Sequence, residues 1–211
     1  MDDYRIPSLD EVIERSGLWM HYCADAINAI KFEGWTQRTH AAGALYHLSM
    51  GHQQAIHILA GNQVHGSAFA LFSPQLETYE RGLWLHRGAT DEQVSSFLAG
   101  CSPPSRKAML DSLPEAEGST IQSIMKASWS GLCDYTHGGA KQVAARLGPS
   151  GIDENFPPEQ IAAMLIASCT LLLMVMNGFP DICESEDGRP MLAAAHAEFQ
   201  LVVRGNSVPR L

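Results

Sequence analysis

The chain has 211 residues, enough for one full core, with 45% hydrophobic and 18% charged residues, the values of a folded globular protein. Its 23 Asp and Glu outnumber 14 Lys and Arg for a formal net charge of -9, and the basic residues form no run, which disfavours a nucleic-acid surface. The 5 cysteines are odd in number and lack CxxC spacing, so neither a disulfide framework nor a thiolate metal site is indicated.

Helix punctuation recurs along the chain and strand signals are poor. Ser8-Leu-Asp-Glu11 is a capping box that opens a first helix expected to reach about Phe32, before Gly34. Thr36 caps a second helix to Ala60, where Gly61 stops it; a third runs from about Asn62 to His86, before Gly88. Thr90 caps a short fourth helix to Leu98. Gly100 to Gly118, with Pro103, Pro104 and Pro114, reads as a long connection holding one helical turn at Ser105 to Asp111. Ser119 to Leu147 predicts a fifth long helix, which Gly148-Pro-Ser-Gly151 ends. Pro158-Glu159 opens a sixth, and Arg189-Pro190 to about Val203 a seventh. The fold class is therefore all-α: an antiparallel bundle of about five long helices plus short ones, in a single domain over 1–204 with a loose tail at 205–211.

Ile161 to Pro180 is uncharged and nearly long enough to span a bilayer. Its flanks are acidic, with Glu159 before and Asp181 and Glu184 after, and no Lys or Arg anchors it. It reads as a central helix buried all round. The acidic N-terminus lacks the basic and apolar regions of a signal peptide, and three cysteines sit among apolar helical neighbours, so a cytoplasmic location without membrane contact is expected. The acidic groups at Asp2-Asp3, Asp153-Glu154 and Asp181 to Asp187 read as solvated loops.

From Thr39 to Leu76 no Asp, Glu, Lys or Arg occurs, yet His40, His47, His52, His57 and His65 accompany Gln53, Gln54, Asn62 and Gln63. A charge-free stretch of this length points to a helical interior, and its imidazoles and amides to a polar seam within it, since buried polar groups need partners. Leu45, Leu48, His52, Ile56 and Leu59 fall on one stripe at helical spacing, which would place His52 in the core. His47, Gly51 and Gln54 share another face. The histidines splay around the axis, and HExxH and ExxH are absent, so no metal and no cofactor is indicated.

In the third helix Pro74 either frees the Ala70 carbonyl or opens a new helix behind Ser73. Glu77 and Arg81 are spaced for an i,i+4 pair, and Glu77, following the charge-free run, is expected to project inward. The densest motif is Asp134-Tyr135-Thr136-His137-Gly138-Gly139 with Gln142 and Arg146. Tyr135, Gln142 and Arg146 share a helical face. Two adjacent glycines in a helix cost about 1 kcal/mol each relative to Ala, which close helix contact or a ligand near the backbone would offset.

These two blocks, Pro74-x-x-Glu77-x-x-x-Arg81-x-x-Trp84-Leu85 and Thr136-His137-x-Gly139 followed by Gln142 and Arg146, resemble an uncharacterised bacterial all-helical family. The resemblance covers about half of the chain. It implies an all-helical fold, distantly like the HEPN domains of bacterial defence proteins, and no particular activity. Ser73 and Ala145 stand where the family often carries arginine, which argues against an anion site.

The favoured functional expectation is a non-enzymatic module, a homodimer, that binds a small ligand or a protein partner in a polar pocket between the third and fifth helices. Glu77, Arg81, Tyr135, His137, Gln142 and Arg146 would line it, with His52 nearby. One alternative is an HEPN-like ribonuclease using Arg81 with His86 or His137, although Arg15 to His21 and Arg189 to His196 match the same spacing and none stands above chance. The other is a metal-dependent hydrolase built on Glu77 and the histidines of the second and fifth helices. No P-loop, nucleophile elbow or GxGxxG is present.

Overall fold

The structure, a computed structural model, describes residues 7–30, 35–115, 118, 121, 134–149, 151–183 and 188–203. Helices α1 (Leu9–Asn28), α2 (Gln37–Gly61), α3 (His65–Arg87), α4 (Asp91–Leu98) and α5 (Arg106–Asp111) are followed by α6 (Ala140–Ala144). The paired strands β1 (Leu147–Gly148) and β2 (Gly151–Ile152) come next, then α7 (Pro158–Cys183) and α8 (Gly188–Val202). The all-α expectation holds.

The helix starts follow from local chemistry. Ser8, Thr36 and Thr90 each accept a backbone N–H from the third residue of the helix they open, and the side chain of that residue reaches back. Ser105 caps α5 in the same way without the reciprocal bond. The first helix ends at Asn28, short of Phe32, which itself lies outside the described residues. The fifth predicted helix needs more correction. Residues 122–133 lie outside the described set, and the helix does not continue to Leu147, because Gly138 adopts a positive φ of 68° that ends the helical turn before α6.

Helix α2 organises the bundle. Contacts pair Ser16 with His57, Ser49 with Gln75 and Gln53 with Cys169, while Tyr46 packs against Gly82 and Phe179. Residue numbers rise on one side as they fall on the other, so α2 runs antiparallel to α1, α3 and α7. Tyr46 sits between two glycines, with Gly82 on one side and Gly178 on the other, stacked on Tyr79 at 5.9 Å. Within α7, Pro158–Phe179 is long and apolar enough to cross a bilayer by length and composition, yet 61% of that window is buried inside the protein. It is the central core helix, carrying Leu165, Leu172, Val175 and Met176.

The buried line of α2 is not the predicted one. Ala42, Tyr46, Ser49, Gln53, Ile56 and Ala60 face the core, whereas Leu48 is 46% exposed and His52 only partly buried. Ala42 and Ser49 let the neighbouring backbones approach, which turned the helix one position away from its leucines. Burial of the charge-free stretch is likewise one-sided: His40, Ala44, His47, Gly51, Gln54 and Ile58 of α2 face solvent. The polar seam does exist inside. Ser49 Oγ donates to the Gln75 carbonyl, Gln75 Nε2 to the Ser168 carbonyl at 3.1 Å, and Ser168 Oγ to Gln75 Oε1 at 2.7 Å. These bonds tie α2, α3 and α7 together and give the side chains of Ser49, Gln75 and Ser168 their partners.

Candidate functional site

The predicted residues fall into three places. Pro74 lies inside α3 without ending it, and the Ala70 carbonyl that it frees accepts a hydrogen bond from Thr136 Oγ1 at 3.3 Å. The Thr of the dense motif therefore repairs the backbone defect made by the Pro of the other block. Tyr135 packs against Phe69 with the rings tilted and 4.8 Å apart, and lies near Phe156. Gln142 Nε2 donates to the Gly66 carbonyl at 3.0 Å, and Arg146 contacts Gln142 and Glu154.

Glu154 is the hub of this docking. Helix α3 begins after Val64, which supplies no side-chain cap. Glu154 accepts the backbone N–H groups of His65 at 2.8 Å and Gly66 at 3.3 Å, while Arg146 Nη2 lies 3.2 Å away. A carboxylate from across the fold thus caps α3, complementing the positive end of its dipole. The expected solvated role of Glu154 is corrected accordingly. The missing side chain of Gly66 leaves the room that the Arg146 guanidinium occupies, since a Cβ there would displace it. Gly139 is similarly constrained: the Asp134 carboxylate occupies the space of its missing side chain and accepts the Lys141 N–H that opens α6. The two glycines thus serve a turn with an aspartate folded over it, not close helix packing.

Glu77 and Arg81 lie elsewhere along α3. Arg81 Nη2 donates to Glu77 Oε2 at 3.0 Å, and Ser73 Oγ to the other carboxylate oxygen at 3.3 Å, with Glu77 partly exposed. They border a cavity of about 230 Å³ whose remaining wall comes from Glu80, Pro103, Pro104, Arg106 and Met109. Glu80, 2% exposed, pairs with Arg106. Burial pushes its carboxyl above the usual range, and the hydrogen bond and charge of Arg106 oppose that shift. His137 is exposed in the turn after Thr136 and does not line this cavity. The structure brings Glu77 to Arg81, and Gln142 to both the Tyr135 carbonyl and Arg146, while His137 is not among the residues lining the cavity beside Glu77.

His52 is partly buried on α2, which lowers its pKa. Sequence reasoning missed a closer pair: Ser16 Oγ and His57 Nδ1 share a hydrogen bond at 2.6 Å, and burial, then the nearby His21, lowers the His57 pKa. This has the spacing of a nucleophile and its base. Ser16 is fully enclosed beside Cys169, so no substrate reaches it, and the pair is structural. Burial also pushes the Cys169 thiol up to about 12, and Cys23 higher still, so both stay protonated at neutral pH. Among the described residues no cluster of His, Cys, Asp and Glu is arranged to hold a metal ion.

The segment from Tyr46 on α2 through α8, residues 46–204, matches a family of unknown function, DUF6988. The chain belongs to DUF6988. No curated protein and no solved structure is detectably similar to it. The DUF6988 match takes in α3, the Glu80–Arg106 cavity and the Thr136 to Glu154 segment.

Proposed function

We propose that this DUF6988 chain is a non-enzymatic binding module whose ligand site is the cavity between α3 and the Pro103-Pro104 segment. One observation carries the reading: two acid–guanidinium pairs, Glu77 with Arg81 and Glu80 with Arg106, border one half-open cavity. A buried ion pair contributes little to stability over apolar residues of equal size, so its presence at a cavity argues for a use beyond packing. The paired charges sum to zero and present an acceptor and a donor side by side. They suit a small zwitterion, with its ammonium toward Glu77 and its carboxylate toward Arg81, and with Pro103, Pro104 and Met109 against its apolar part. Tyr135, Gln142 and Arg146 serve in this reading as supports that hold the start of α3, and His137 lies outside the site.

Titration with the free amino acids by calorimetry, on the parent and on Glu77→Gln with Arg81→Gln, tests it. Binding in the parent that the paired substitution removes supports the reading. Absence of binding by every amino acid at millimolar concentration, or binding unchanged by the substitutions, overturns it.

A further inference from the structure

A second cavity, of about 290 Å³, lies between α1 and α2. Its mouth is formed by the exposed side chains of His21, His47 and Gln54, and its floor by Gln53 and Leu172. Gln53 is 1% exposed. Its Nε2 faces Cys169 Sγ at 4.0 Å, while its Oε1 has no hydrogen-bond partner. A buried carbonyl oxygen without a donor is disfavoured, and such groups in folded proteins call for an explanation. Here the residue that carries it lies at the floor of an open cavity.

Three further features define what that space would take. No described residue around it carries a carboxylate, an ammonium or a guanidinium. His21 Nδ1 donates to the Gly17 carbonyl at 2.8 Å, so in the neutral ring Nε2 is left as an acceptor. A Cβ at Gly51 would meet nothing within 4 Å, so the glycine is not relieving a clash within the chain, and it leaves the cavity wall open at a helix position where Gly is otherwise unfavourable. Met20 and Met50 supply polarizable, adaptable walls of the kind that accommodate flat rings.

We infer that the cavity between α1 and α2 is a binding site for a small, uncharged, ring-bearing amide, whose N–H donates to Gln53 Oε1 while its ring lies against Met20 and Met50. The lining disfavours ions, because a charged ligand would lose its hydration without meeting an opposite charge. This site is separate from the Glu80–Arg106 cavity and does not depend on it.

Nicotinamide and nicotinate have one ring and nearly one size and differ in charge, and uracil is a second neutral ring with N–H donors. Binding of the three is measured by ligand-observed NMR on the full chain, with Gly51→Leu to fill the space and Gln53→Leu to remove the acceptor. Gln53→Leu, which deletes an unpaired carbonyl oxygen and only the weak N–H contact to Cys169 Sγ, is expected to leave the melting temperature unchanged or higher, so loss of binding there is not loss of fold. The expected result is binding of at least one neutral ring, about tenfold or more weaker for nicotinate, a difference of about 1.4 kcal/mol, and abolished by Gly51→Leu. No binding of either neutral ring, equal binding of nicotinate, or binding that survives Gly51→Leu overturns the proposal.

Discussion

The cap on α3 gives the sharpest stability prediction. Replacing Glu154 with Ala removes both acceptors for the His65 and Gly66 N–H groups and the partner of Arg146. Loss of an N-terminal cap costs about 1–2 kcal/mol. The favourable placement of a negative charge at the helix start adds about 0.5 kcal/mol. The half-exposed pair with Arg146 adds about 0.5 kcal/mol at most, since solvent screens it. The sum is about 2–3 kcal/mol, which for a chain of this size corresponds to a fall of about 5–10 °C in melting temperature. Glu154→Gln keeps one acceptor and loses the charge, so it is expected to cost about half as much. Urea unfolding followed by far-UV circular dichroism reads both values, with the slope unchanged. If Glu154→Ala lies within about 0.5 kcal/mol of the parent, or Glu154→Gln costs as much as Ala, the carboxylate does not cap α3.

Gly66→Ala gains helix propensity of about 1 kcal/mol but displaces the Arg146 guanidinium, so it should be neutral or mildly destabilising in the parent and stabilising in an Arg146→Ala background; a double-mutant cycle reads the reversal. Gly82→Ala puts a Cβ 2.7 Å from the buried Tyr46 ring, which is held by Tyr79 and Phe179, and is expected to cost about 1–3 kcal/mol in the same assay. The Glu80 carboxyl is raised above 4.5, so the folded state binds its proton more tightly than the unfolded chain does. Its contribution therefore falls as pH rises from 4.5 through the folded value, and Glu80→Gln should remove that part of the stability slope. His57 acts in the opposite sense: its pKa lies below 6.5, so its stabilising effect is present above 6.5 and lost as pH falls through the folded value. Denaturation between mildly acidic and neutral pH on His57→Gln should show a flatter profile there than the parent.

The amino-terminal half was readable because its signals are local. Ser8, Thr36 and Thr90 all cap where their spacing to the following helix said they would, each bond closing over three residues. The Glu77–Arg81 pair was visible for the same reason, being one helical turn apart. What failed was long-range or decided by packing. The core face of α2 depended on small residues meeting α3 and α7, and the leucine stripe gave the wrong side. Glu80 was passed over although it lies one residue before Arg81, because only the approach of Arg106 and the proline segment makes it a buried, paired acid. Glu154 looked like a loop residue, since the donors it serves are 89 and 88 positions away. Strands of two residues, such as Leu147–Gly148 and Gly151–Ile152, are too short for any alternation to register.

The distance along the chain between α3 and Glu154 bears on how this protein is made. Translation at about 5–20 residues per second leaves Arg87 waiting several seconds before Glu154 is even synthesised. Throughout that interval the amino end of α3 holds open donors, and its Ala70 carbonyl awaits Thr136. The α2–α3 hairpin emerges from the ribosome as an unfinished object. A chain cut short ahead of residue 154 would leave the His65 and Gly66 N–H groups without that carboxylate for good.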